Sequence, residues 1–138
     1  DDRIDKIHTN LETIKNGADS LLQHYRESLL TRLAELAPDL KVDSNRLEVE
    51  ALIYAEKSDI AEETTRLKSH LNQFGELKTR SEETGKRMDF LLQEMNREVT
   101  TILAKTSGLN HTGTRIGEAA IEIKVEIDKL REQVQNIE

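Results

Sequence analysis

Residues 86–105, KRMDFLLQEMNREVTTILAK, place two carboxylates one helical turn apart, Glu94 and Glu98, with cationic groups beside them at Arg87, Arg97 and Lys105. At about 100° per residue, Arg87, Glu94, Arg97, Glu98, Thr101 and Lys105 share one side of a helix. Met88, Leu91, Leu92, Met95, Val99 and Ile102 share the other. Carboxylate oxygens at this spacing suit a hard divalent cation, and guanidinium and ammonium groups suit a phosphate. The polar side has no Lys-Glu alternation of the solubilising kind. It holds Gln93, Asn96 and Thr101 instead, short side chains fit for directed hydrogen bonds. The same spacing equally serves an ion-paired helix face that binds nothing, with Arg97 neutralising an acid across a helix interface.

Two further segments carry candidate residues. In DIAEETTRLKSHLNQF, residues 59–74, the apolar stripe is Ile60, Leu67, Leu71 and Phe74, and Asp59, Glu62, Glu63, Arg66 and His70 lie on the adjoining face. Glu63, Arg66 and His70 stack along one line at steps of three and four, either as a row of surface ion pairs or as a site. Near the C-terminus, Lys124, Arg131 and Gln135 share a face able to contact phosphate or ribose oxygens, or to bridge to a neighbouring helix. His8, His24 and His111 have no acidic partners at ligand-like spacing. The chain has no dinucleotide or phosphate-binding glycine loop, no HExxH zinc helix, no EF-hand loop and no GxSxG elbow. Aromatic stacking platforms are not apparent, so any RNA contact is expected to run through phosphate and ribose.

Composition sets the frame for these residues. With two Phe, two Tyr, no Trp and 34% charged residues among 138, the chain favours extended helices packed on Leu, Ile and Val. The absence of cysteine removes disulfides, thiolate metal sites and cysteine nucleophiles, and fits a cytoplasmic setting. No apolar run reaches the roughly 18 residues of a membrane span. The net charge of −7 argues against coating nucleic acid by bulk electrostatics. The excess is uneven: residues 59–106 carry nine acidic and eight basic side chains, against twelve and eight in residues 1–58. An anionic ligand is therefore compatible with the patterned region if its cations are focused. A first residue of Asp1 points to further sequence upstream.

The elements that must position these residues read as helices throughout. Ile4, Ile7, Leu11, Ile14, Ala18, Leu21, Tyr25, Leu29 and Leu33 alternate in steps of three and four, predicting a helix of about 50 Å with a coiled-coil-like seam, ended by Pro38. Ala37–Asn45 reads as a turn. A second helical region spans Ser44–Leu77, interrupted near Lys57 and Ser58, where Asp59 caps a new helix with Glu62 three positions on. Lys78–Gly85 reads as a connection and Thr106–Gly117, with three glycines, as a loop. A last helix is expected over Glu118–Asn136. The fold class is all-α: a long helical hairpin or coiled-coil-like helix, residues 1–37, followed by a helical bundle domain, residues 44–138.

Taken in order and at this spacing, DIAEETTRLKSHLNQF, GKRMDFLLQEMNREVTTILAKT and EIKVEIDKLREQVQNIE resemble the C-terminal half of the YicC-like endoribonucleases, and YRESLLTRLAEL, Tyr25–Leu36, resembles that family's long connecting helix. The resemblance covers essentially the whole chain. It implies a divalent-metal-dependent endoribonuclease that cuts single-stranded or structured RNA as a hexamer, here without the family's N-terminal α+β domain. The family pattern falls on Asp59, Glu62, Glu63, Arg66 and His70, on Arg87, Asp89, Gln93, Glu94, Asn96, Arg97, Glu98, Thr101 and Lys105, and on Arg131, Glu132, Gln133 and Gln135. Ala104 stands where a serine is usual, and the Thr106–Gly117 segment is longer than in many relatives. On this basis Glu63, Glu94 and Glu98 are expected to hold Mg²⁺ or Mn²⁺. His70, Glu94 and Glu98 are expected at the reaction centre, with His70 as general acid or base. Arg66, Arg87, Arg97, Lys105, Lys124, Arg131 and Gln135 are expected to contact RNA. The alternatives are a non-enzymatic oligomeric scaffold, in which the ionic stripes lock subunits together, and an RNA-binding module.

Overall fold

A computed structural model of the chain describes residues 2–36, 44–78, 85–106 and 111–137. They form five helices: α1 (Asp2–Leu36), α2 (Ser44–Ser58), α3 (Ala61–Lys78), α4 (Gly85–Thr106) and α5 (His111–Ile137). Among the described residues only Asp59 and Ile60 lie outside a helix, and the fold is all-α as expected. Of the expected Ala37–Asn45 turn, residues 37–43 lie outside the described residues, while Ser44 and Asn45 already belong to α2. The expected connection between α3 and α4 keeps only residues 79–84, also outside the described residues.

The apolar stripes decide the packing. Ile7, Leu11, Ile14 and Leu21 of α1, Leu67, Leu71 and Phe74 of α3, the whole α4 stripe, and Ile116, Ile123, Ile127 and Leu130 of α5 form one buried cluster. Each such side chain contributes roughly 1.5–3 kcal/mol relative to exposure, so the six buried apolar residues of α4 anchor it firmly in the core. α5 packs most extensively on α1 and next on α4, α4 packs on α3, and α3 returns to α1, closing a four-helix arrangement. α2 stands apart from it. Ala51 is its one fully buried hydrophobic residue, and it is held to α1 by the parallel rings of Tyr25 and Tyr54, whose centroids lie 3.5 Å apart, and by Arg26 paired with Glu48 at 2.9 Å.

The corner between α2 and α3 forms as the Asp59 cap predicts. Asp59 Oδ1 accepts from the Ala61 amide at 2.9 Å, satisfying one of the donors that a helix start leaves open. Ser58 Oγ donates to the Tyr54 carbonyl at 2.8 Å on the other side of the corner. Ile60, buried between them, pins the turn to the core.

The expected glycine loop over Thr106–Gly117 is corrected. Thr106 ends α4 with its hydroxyl donating to the Ile102 carbonyl at 2.7 Å, and α5 begins at His111, so that Thr114, Arg115, Ile116 and Gly117 are helical. A glycine inside a helix costs about 1 kcal/mol, less than full burial of the Ile116 side chain returns. Gly113 and Gly117 therefore do not mark a loop, while residues 107–110 of the expected segment lie outside the described residues. The stripe of Ala119, Ile123, Ile127, Leu130 and Val134 extends one turn further back, to Ile116.

Candidate RNA-contacting face

α4 occupies the middle of the candidate face, with α3 along one flank and α5 along the other. Helical spacing puts Glu98 and Lys105 on the α3 flank, Asp89 and Thr100 on the α5 flank, and Phe90, Arg97 and Thr101 between them. The contacts follow this division.

Along the α3 flank two carboxylates are buried and each is met by a cation. Glu63, with a side chain 3% exposed, accepts from Lys105 Nζ at 3.2 and 3.0 Å, and the same ammonium donates to the Asp59 carbonyl at 3.1 Å. The two Glu63 oxygens lie in nearly one direction from the ammonium, so Glu63 and the Asp59 carbonyl together take two of its three N–H groups. Lys105 clamps the start of α3 to the end of α4, where its charge also suits the negative end of the helix dipole. Glu98, 8% exposed, accepts from Arg66 Nε at 2.9 Å and from Nη2 at 3.2 Å, a two-point pairing of the kind that fixes a guanidinium plane. Arg66 Nη1 reaches Glu62 at 3.3 Å. Hydrogen bonds from Glu98 first, then Glu62, hold the Arg66 guanidinium above the ordinary arginine range. Three of its five N–H groups are used and about half its side chain is exposed, so donors remain for a ligand.

The antiparallel register that sets Arg66 against Glu98 brings His70, one turn on in α3, level with Glu94, one turn back in α4. His70 is half-buried, and its Nδ1 is buried with no hydrogen-bond partner. Further on, Arg87 is exposed and lines a shallow hollow with Gln73, Glu76, Leu77 and Leu91.

On the α5 flank, Arg131 Nε donates to Asp89 Oδ1 at 3.3 Å, and Asp89 also accepts from Gln93 at 2.7 Å. Lys124 Nζ reaches Thr100 Oγ1 at 3.2 Å. These bonds use one donor of each cation, and Gln135 is exposed beyond them. Between the flanks, Arg97 is 75% exposed, with only a 3.8 Å approach to Glu94.

The candidate residues thus assemble as two ionic seams on either side of α4. Glu63 and Glu98 face different cations, and among the described residues no group of three acids or histidines is placed to hold a metal ion. The described residues therefore do not by themselves fit the expected Mg²⁺ or Mn²⁺ set of Glu63, Glu94 and Glu98. The sequence reading did not find the Asp59 carbonyl as an acceptor for Lys105, nor Thr100 for Lys124. It also passed over Phe90, which is 58% exposed beside Arg87 and Arg97 and could have been found as the apolar residue lying off the α4 stripe.

The fold and site define an all-α bundle with an ion-paired cationic face. Residues 14–138 match the domain described as "Endoribonuclease YicC-like, C-terminal". The chain is 42% identical over 137 residues to the "Probable endoribonuclease YicC" of Clostridioides difficile (strain 630), covering 99% of this chain and 45% of that protein. It is 33% identical over 136 residues to the protein of the same name from Haemophilus influenzae (strain ATCC 51907 / DSM 11121 / KW20 / Rd), again 99% of this chain and 45% of that protein. The chain belongs to the YicC-like endoribonuclease family and corresponds to its C-terminal domain. It spans about half the length of these relatives. Among the described residues no helix is long and apolar enough to cross a membrane.

Proposed function

We propose that this chain is the helical part of an endoribonuclease, and that the face of α3 and α4 presents its arginines to the RNA backbone. The observation that carries the reading is the Arg66–Glu98 pair. A buried carboxylate fixes one edge of a half-exposed guanidinium and leaves its remaining donors facing solvent, ready for the negative charge that grows on phosphate oxygens. Arg87 and Arg97 extend that surface along α4. His70 supplies an imidazole, a group suited to proton transfer to or from a ribose hydroxyl or leaving oxygen, and its buried Nδ1 has no hydrogen-bond partner. Two relatives named as probable endoribonucleases support the assignment.

Divalent-metal dependence belongs to the proposal for the whole protein and rests on the family resemblance. Assembly as a hexamer is likewise a proposal for the whole protein, resting on the family resemblance, and a cytoplasmic location is proposed from the absence of cysteine in this chain.

The test is His70→Gln in the full natural protein, assayed on a labelled single-stranded RNA. Loss of a general acid or base lowers cleavage by roughly a hundredfold or more while RNA binding is kept. Wild-type cleavage by this variant would remove His70 from the reaction. The same assay after chelation and back-titration with Mg²⁺ or Mn²⁺ decides the metal: activity is expected to fall on chelation and to return with the ion.

A further inference from the structure

Phe90 breaks the pattern of its helix. Of the two phenylalanines in the chain, Phe74 is fully buried in the core, whereas Phe90 is 58% exposed. Its helical neighbours are Arg87 at i−3, Gln93 at i+3, Glu94 at i+4 and Arg97 at i+7, and none is apolar. Among the described residues the other exposed large hydrophobic residues, Leu30, Val49, Leu52, Ile53, Ile121 and Val125, belong to α1, α2 and α5. Phe90 is therefore a single aromatic ring set among Arg87, Arg97, the Gln93 amide and the Glu94 carboxylate, with no apolar patch around it on α3 or α4.

That setting selects among occupants. An apolar partner helix needs a row of hydrophobic anchors, and Phe90 offers one ring. A nucleobase needs one flat π-face with cations nearby for the adjoining phosphates, which is the arrangement single-strand binders use. Arg97, 75% exposed, stands two turns along from Phe90 on the same stripe, and Arg87 about one turn back, so an anionic backbone running along α4 meets a guanidinium on either side of the ring. We propose that Phe90 stacks on an unpaired base of single-stranded RNA, placing the adjoining phosphates against Arg87 and Arg97. This rests on the RNA-directed reading of the face. It adds a preference for unpaired bases, which phosphate and ribose contacts alone do not give.

The experiment compares two uncleavable probes in the full natural protein: a fluorescent 2′-O-methyl oligoadenylate, and an oligomer of equal length and charge with abasic residues. Wild type is expected to bind the base-bearing probe roughly five- to a hundredfold more tightly than the abasic one. Phe90→Ala is expected to bind both probes as wild type binds the abasic one. Phe90→Trp is expected to keep the preference, and quenching of the emission it adds over wild type reports stacking. Equal wild-type binding of the two probes overturns the stacking role and leaves the RNA reading standing. No binding of either probe overturns both. A change of molecular mass in Phe90→Ala by light scattering, with binding lost in step, assigns the ring to a protein contact instead.

Discussion

Candidate cations of one chemical type separate into two roles once their donors are counted. Lys105 is tied to the Glu63 carboxylate and the Asp59 carbonyl, so it holds the corner that starts α3 and has less to offer a phosphate than the exposed arginines. Arg66 keeps free donors and Arg97 keeps nearly all of its own. Replacing Lys105 by Met leaves the Glu63 carboxylate buried without its ammonium, which costs about 1–3 kcal/mol, reduced by the water that reaches the partly exposed lysine. Urea denaturation reads this as a lowered midpoint with an unchanged slope. The double variant Lys105→Met with Glu63→Gln removes the buried charge as well and is expected to recover part of the loss, since the two residues form one interaction. Equal loss in the single and double variants would mean that the pair does not act as a unit. The reach of the sequence is visible at the same residues. Spacing alone put Glu63, Arg66 and His70 on one line and Glu94, Glu98 and Lys105 on another, as found. Which cation meets which carboxylate depends on the α3–α4 register, 32 residues apart for Arg66 and Glu98 and 42 for Lys105 and Glu63, and no local pattern encodes it.

The helices differ in how firmly they are held, and the difference follows their stripes. α4 and α5 were legible because each carries an unbroken apolar stripe, and α5 was misjudged only where glycines, which usually punctuate loops, sit in a helix whose neighbours bury Ile116. α2 has no comparable stripe: Val49, Leu52 and Ile53 are exposed, and the Tyr25–Tyr54 contact carries much of its attachment to α1. The rings overlap face to face with an interplanar angle of 3°, a geometry that gains less from the ring quadrupoles than an offset stack, so buried ring area does most of the holding. Burial first, then the neighbouring Tyr25, raises the Tyr54 pKa above its ordinary value of 10.0. A raised tyrosine pKa means that the folded state prefers the neutral phenol. The stabilisation is complete below pH 10 and is lost as pH rises from there through the folded-state value. Hydrogen exchange confined to α2 is therefore expected to accelerate above pH 10 beyond the intrinsic base-catalysed rise, and Tyr54→Phe, which keeps the ring and removes the ionisation, is expected to abolish that excess. An α2 that loosens equally in Tyr54→Phe would remove the phenol as the cause.

At the scale of the molecule, a chain with net charge −7 is asked to meet a polyanion, and the two are compatible only if binding is local. The residues from 59 to 106 are close to neutral, with nine acids against eight bases, and two of those acids, Glu63 and Glu98, are buried under cations. What the α3–α4 face presents outward is therefore richer in positive charge than its composition suggests. Among the described residues Arg66, Arg87 and Arg97 are the exposed arginines there, and one phosphate for each gives a count of about three. Counterion release from a single strand then gives a slope of log affinity against log salt of about −2. A protein that bound RNA over its whole surface would show a steeper slope, and one held by base stacking alone a slope near zero. Arg97→Ala is expected to reduce the slope by about 0.7, one phosphate's share, and to weaken binding to base-bearing and abasic strands alike. Titration of labelled RNA across a salt series measures both quantities. A slope unchanged by Arg97→Ala would place the strand elsewhere on the molecule, with the α5 flank at Lys124 and Arg131 the next surface to vary.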